Sequence, residues 1–266
     1  MPSEPFRILA LGDVVGKPGR QALAGHLARW RQECRADFVI VNAENAAGGV
    51  GVTPEVAREM LELPIDVLTS GNHIWKYRQI EPFLDQEPRL LRPANYPEGT
   101  PGRGWGVFAS GRGPRVGVLN LEGQLFMGPL PCPFRAADEA LAPIRSQTPI
   151  VLVDFHAEAT SEKRALGRYL DGRASAMWGT HTHVPTADAE VLPGGTGYQT
   201  DLGMCGPADS VIGVDSADAL QRFLSKRHSP FELARGRVQA QGVLIVVDPD
   251  SGRCLGMARK EWRLCP

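Results

Sequence analysis

Five short apolar runs in this sequence each end on a residue able to bind a metal ion. ILALG leads to Asp13, VIVNA to Glu44, DVLTS to Gly71-Asn72-His73, VLVDF to His156, and AMWGT to His181-Thr182-His183. Carboxylates, an amide oxygen and neutral imidazoles suit hard to borderline cations such as Zn, Fe and Mn. With two such ions roughly 3.5–4 Å apart, sharing a bridging carboxylate and activating a water, the chemistry is hydrolysis of a phosphate ester. Glu44 has the reach to bridge. Asp13, Asn72, His156, His181 and His183 would fill terminal positions. Residues two apart on a strand share a face, so His181 and His183 are expected to point inward together, with Thr182 turned away. His73 is expected on the substrate side, protonating the leaving oxygen or steadying phosphoryl charge.

Taken singly, each position has an ordinary reading. An Asp after a strand caps or turns, Gly-Asn-His is a turn former, and His156 could be a satisfied core histidine. The recurrence at five strand ends favours metal. His26, inside a helix-like stretch, and His228, among charged loop residues, read as structural or solvated. GDVVGK at 12–17 is one residue short of a P-loop, with Pro18 where Ser or Thr is needed, and NAAGGVG lacks dinucleotide-binding spacing. The cysteines show no zinc spacing.

The elements that must position these residues alternate strand and helix. Phe6 to Gly12, Asp37 to Val41 and Asp66 to Ser70 read as strands. Pro18 to Cys34, with Leu23, Leu27 and Trp30 at helical spacing, and a segment opened by Thr53-Pro54 read as helices. This rhythm predicts a largely parallel sheet, whose ligands gather beyond the carboxyl ends of its strands. Arg89 to Leu121 reads as strand-rich. Helices at Ala136–Ile144 and Ser161–Leu170 lead into strands Ile150–Phe155 and Ala174–Gly179. GGTGYQTDLGMCGPADS is expected to be a long ordered loop, and the C-terminal segment a hairpin turning at Pro249-Asp250-Ser251-Gly252. Residues 1–266 are expected to form one domain with two sheets.

Composition narrows the classes. With 29 basic and 30 acidic residues and a net charge of -1, nothing in bulk attracts nucleic acid or membranes. Five cysteines, odd in number and without a CxxC pair, suit free thiols in a reducing compartment. The N-terminal segment is neither a signal peptide nor a membrane span, so a cytoplasmic location is expected.

Asp13, GNH at 71–73, His156 and GTHTH at 179–183 resemble the signature blocks of the calcineurin-like metallophosphoesterases. LGDVVGKPGR at 11–20, VNAENAAGGVG at 41–51, RPANYP at 92–97, DFHAE at 154–158, TDLGMCGP from 200 and SVIG ending at 213 resemble the YmdB-type branch, a 2′,3′-cyclic-nucleotide 2′-phosphodiesterase family. The resemblance implies a four-layer αββα sandwich of two mixed sheets between helices. It implies a dinuclear centre, usually iron with manganese as an alternative, held by Asp13, Glu44, Asn72, His156, His181 and His183, with Glu44 bridging and His73 catalytic. It also implies opening of 2′,3′-cyclic nucleotides to 3′-nucleotides by hydroxide attack. Most of the wider superfamily has Asp-x-His in the first block, and here Val15 replaces that His; Asn45, through its side-chain oxygen, or water is expected to substitute. Ile74 replaces the acid that often follows GNH, leaving Asp154 or Glu158 to orient His73. Arg92, Asn95 and Tyr96 are candidate substrate contacts, against the alternative of a loop packed on itself. Competing readings are a phosphomonoesterase or phosphoprotein phosphatase on the same centre, and a metal-containing protein that grips RNA with little turnover. No membrane partner is expected, and a homo-oligomer is compatible with the sequence.

Overall fold

The computed structural model describes residues 4–111, 113–227 and 232–264; the readings of His228 and Cys265 fall outside them. In chain order the strands are β1 (Phe6–Leu11), β2 (Asp13–Val14), β3 (Phe38–Asn42), β4 (Val67–Thr69), β5 (Trp105–Phe108), β6 (Val116–Glu122), β7 (Val151–His156), β8 (Ala176–Thr180), β9 (Glu190–Val191), β10 (Gly197–Gln199), β11 (Met204–Pro207), β12 (Val238–Val247) and β13 (Cys254–Leu264). The α-helices are α1 (Gly16–Cys34), α2 (Pro54–Leu61), α3 (Glu81–Gln86), α4 (Pro133–Arg145), α5 (Thr160–Tyr169) and α6 (Ser216–Ser225).

One sheet runs β2-β11-β12-β1-β3-β4, with β13 also on β12; the other runs β5-β6-β7-β8-β10-β9. Each mixes parallel and antiparallel pairs: β1 is parallel to β3 but antiparallel to β12, and β6 is parallel to β7 but antiparallel to β5. Side chains alternate across a strand, and the two faces of each strand join different cores. Ile8, Ala10, Phe38 and Ile40 face Val118, Leu152, Ala176 and Trp178 between the sheets. Leu9, Leu11, Val39 and Val41 pack beneath α1 and α2 with Leu23, Leu27, Trp30 and Met60. Leu119, Leu121, Val151 and Val153 pack beneath α4 and α5 with Leu141, Ile144 and Leu166. The result is the αββα sandwich that the resemblance implies.

Local chemistry sets several element ends. Thr53 caps α2 by accepting from Val56 N (3.3 Å), and Pro54 takes the first helical position, where no N–H is needed. α1 begins two residues before Pro18, because Gly16 adopts a positive φ (59°) and donates its N–H to Asn45 O (2.9 Å).

Two expectations need correction. The Gly-rich segment after 194 is not one loop: β10 pairs with β8, and β11 lies between β2 and β12. These strands are too short to show a hydrophobic period and exist because neighbours supply their hydrogen bonds. RLLRPANYP forms only isolated bridges at Leu90 and Leu91, since Pro93 cannot extend a ladder. Helix α6 was not anticipated. Among the described residues, no helix is long and apolar enough to cross a membrane.

Candidate metal centre

β1 and β3 end side by side in one sheet, and β7 and β8 in the other. Asp13, Glu44 and His156 are each completely buried there. Asp13 is set by β11, whose Met204 lies opposite it in parallel register and whose neighbour Gly203 accepts the Asp13 N–H (3.2 Å). Asn72 opens a short 3-10 helix after β4. A Cβ on Gly71 would lie 2.3 Å from His156 Nε2, so only glycine lets the Asn72 segment approach that imidazole.

His181 and His183 do not sit on a strand. β8 stops at Thr180, and both histidines have left-handed backbone, with φ of 100° and 63°. The expectation that strand alternation aims them together is therefore overturned. The bend sends them to two different clusters. Glu44, His156 and His181 bring ligand atoms within 4.8 Å of one another, as do Asp13, Glu44 and His183. Glu44 belongs to both.

In the neutral imidazoles that metal binding requires, one nitrogen of each ring is engaged by the protein and the other is left for a ligand. Thr180 Oγ1 donates to Asp154 Oδ1 (2.8 Å), so it must accept from His156 Nδ1 (2.9 Å), leaving a lone pair on Nε2. Glu158 Oε2 lies 3.1 Å from His181 Nε2, leaving the lone pair on Nδ1. The Ile212 carbonyl accepts from His183 Nδ1 (2.8 Å), leaving the lone pair on Nε2. Around His156 Nε2 stand His181 Nδ1 (3.0 Å), Asn72 Oδ1 (3.1 Å) and Glu44 Oε2 (3.0 Å). With His156 neutral these are four acceptor atoms facing one another, an arrangement that needs a positive centre among them, either a proton on His156 Nε2 or a metal cation. The spacing is that of ligands sharing one ion at about 2.1 Å. Asp13 Oδ1 is buried without a hydrogen-bond partner, which is a second mark of a cation site. The residues therefore fit a pair of metal ions.

The side chains alone carry correspondingly disturbed charges. Burial pushes Asp13 up to about 6, against the nearby His183 and His156. Burial opposes ionisation of Glu44, yet His156 and His73 beside it hold its carboxyl well below the usual range. Burial resists charging of His156, but Glu44 and Asp13 raise it to about 9. Burial, then repulsion from His156, depresses His181 to about 3, so it stays neutral as a ligand must. A bound cation would favour the ionised carboxylates and neutral imidazoles alike.

Asn45 is at the centre, between His73 and the Asp13–Glu44–His183 cluster. Oδ1 accepts from His73 Nδ1 (2.8 Å), while Nδ2 donates to Glu44 Oε1 (2.8 Å) and faces His183 Nε2 (3.1 Å). The opposite amide orientation would set the oxygen beside Glu44 and His183, where a cation held by them would accept it as a ligand. In the orientation shown, Asn45 bridges His73 and the Asp13–Glu44–His183 cluster. Glu44 Oε1 also lies 3.3 Å from His73 Nδ1. Neither Asp154 nor Glu158 orients His73, contrary to expectation: Asp154 supports Thr180, Thr69 and Asn42, and Glu158 holds His181.

The RPANYP loop is packed on itself. Arg92 spends its guanidinium on the carbonyls of Pro93, Thr100, Pro101 and Gly102. Asn95 ties Glu122 and Pro131 backbone groups together. Neither is offered to a ligand. Tyr96 donates to Glu122 Oε2 (3.0 Å) and meets Trp75 edge-on. Sequence reading missed Glu122, whose carboxyl is pushed up to about 7 by burial, and the Asn42–Asp154–Thr180 network; isolated polar residues inside apolar strands were the available signal. It also missed the cavity of about 390 Å³ beside the centre, where His73, Glu158 and Thr182 share the lining with Val50, Ile212 and Leu233.

The profile of the family described as YmdB-like protein matches residues 9–259. This chain belongs to that family. It is 44% identical to the 2′,3′-cyclic-nucleotide 2′-phosphodiesterase of Bacillus subtilis (strain 168) over 254 residues, covering 96% of each chain. Among solved structures, that of a hypothetical protein from Thermus thermophilus superposes with a TM-score of 0.90 at 43% identity, covering 98% of this chain and 100% of that one. A Mycoplasma pneumoniae phosphatase superposes with a TM-score of 0.92 at 32% identity, covering 99% of this chain and 95% of that one. Family membership was legible in the ordered sequence blocks, and the Bacillus subtilis and Mycoplasma pneumoniae relatives are named as enzymes acting on phosphoric esters.

Proposed function

We propose that this chain is a dinuclear-metal phosphodiesterase that opens 2′,3′-cyclic nucleotides to 3′-nucleotides. The observation that carries the metal reading is the convergence of carboxylates and imidazoles in two clusters that share Glu44, with Asp13 Oδ1 buried and unpartnered beside them. The substrate reading rests on the likeness to the Bacillus subtilis enzyme. Glu44, Asn72, His156 and His181 would hold one cation, and Asp13, Glu44 and His183 the other, with iron the first candidate and manganese the second. When bound, such a pair neutralises phosphoryl charge and makes a water acidic enough to attack at neutral pH.

The chain's own residues supply the rest. Asn45 and Glu44 engage His73 Nδ1, and the imidazole is partly exposed toward the cleft. In the reaction a water oxygen bonds to phosphorus, the opposite P–O2′ bond breaks, and the 2′-oxygen leaves as a hydroxyl. His73 is the positioned donor of that proton. Val50, Ile212, Val214 and Leu233 give the cavity an apolar wall against which a nucleoside can exclude water. We also infer a cytoplasmic setting: Cys34, Cys132, Cys205 and Cys254 are all free thiols.

The test is turnover by protein purified without added metal, with its metal content measured. Hydrolysis of 2′,3′-cAMP to 3′-AMP is expected to exceed that of a phosphoserine peptide. Preference for the peptide would make the chain a phosphoprotein phosphatase. Tight RNA binding without turnover of either substrate would favour the binding-protein reading.

A further inference from the structure

The cavity beside the metal centre does not end the accessible surface. Ile212 and Val214, which wall it, also wall a second cavity of about 550 Å³ lined by Arg222, Phe223, Lys226 and Arg227. The shared wall is a tight turn closed by two hydrogen bonds between Val211 and Val214 (2.9 and 3.0 Å). Its central residues, Ile212 and Gly213, both have positive φ, 50° and 103°. A β-branched residue is strained there. The Ile212 carbonyl holds His183, so the turn is coupled directly to the centre. Among the described residues, the second cavity is lined by three cations and no acid, on a chain of net charge -1. Phe223 is 68% exposed beside them.

We propose that the physiological substrate class is single-stranded RNA ending in a 2′,3′-cyclic phosphate, not the free mononucleotide; this rests on the phosphodiesterase reading. The terminal nucleoside occupies the first cavity. The preceding nucleotide passes over Ile212, its base against the Phe223 ring and its phosphodiester toward Lys226 and Arg227. Aromatic stacking joined to a cationic track is how proteins hold single strands without reading sequence. The bond broken is the same P–O2′ bond, and the product is RNA with a 3′-phosphate.

The test compares kcat/KM for 2′,3′-cAMP and for an adenosine trinucleotide ending in a 2′,3′-cyclic phosphate. The native chain is expected to favour the trinucleotide by about ten-fold at low salt, and the advantage is expected to shrink as salt rises. Lys226→Glu with Arg227→Glu, and separately Phe223→Ala, should keep mononucleotide turnover and lose the advantage. Equal kcat/KM in the native chain would overturn the proposal and leave the phosphodiesterase reading standing. So would an advantage that survives both variants. So would self-association through α6, abolished by Phe223→Ala without effect on preference. Failure to hydrolyse either substrate would overturn the phosphodiesterase reading and this extension together.

Discussion

Asn72 and His73 are adjacent in sequence and face different partners. Asn72 Oδ1 meets His156, whereas His73 is bonded to Asn45 and faces the cleft. Replacing His73 with Asn should therefore leave metal content intact while lowering kcat by about 10²–10⁴-fold; elemental analysis beside steady-state kinetics checks both halves. Glu44 is predicted to behave differently, because both ligand clusters include it. Glu44→Gln should cost both ions, while Asp13→Asn should cost one. Metal stoichiometry distinguishes them, and equal losses would deny Glu44 its bridging place.

At the scale of elements, the bend after β8 depends on a buried ion pair. Lys163 on α5 donates to Asp201 Oδ2 (2.7 Å), and both side chains are 1% exposed. Asp201 also accepts from Thr182 N (3.3 Å) and Gly203 N (2.8 Å). One carboxylate thus ties α5, the His181–His183 bend and the approach to β11. Lys163→Met should leave it buried and uncompensated, costing about 3–5 kcal/mol in denaturant unfolding. It should also weaken metal retention, since the bend carries two candidate ligands. A variant of unchanged stability would show that Asp201 finds another partner.

For the whole molecule, fold and centre draw on separate groups. The three cores are built from apolar side chains, and none of the candidate ligands belongs to them. Chelation should leave far-UV circular dichroism unchanged and lower Tm. Cation at about a thousand times its Kd contributes about 4 kcal/mol, which at this chain length is roughly 10 °C. Readdition of iron or manganese should restore it, and a Tm indifferent to chelation would contradict the cation site.

Apolar runs such as FRILAL, FVIVN and VLVDF determined by themselves that strands form, because continuous burial on both faces leaves no other use for them. Their polar ends marked the candidate ligands, since a carboxylate or imidazole at the end of a buried strand must find a compensating partner. Tertiary structure alone decided the rest. β10 and β11 have no period of their own and depend on neighbouring strands for their hydrogen bonds. The positive φ of His181 and His183, which divides them between two clusters, is enforced by contacts to Asp13, Asp201 and Ile212 far away in the chain. The orientation of His73 by Asn45, the inertness of Arg92 and Asn95, and the cationic cavity beyond Ile212 likewise arise from distances in space, which residue order does not encode locally.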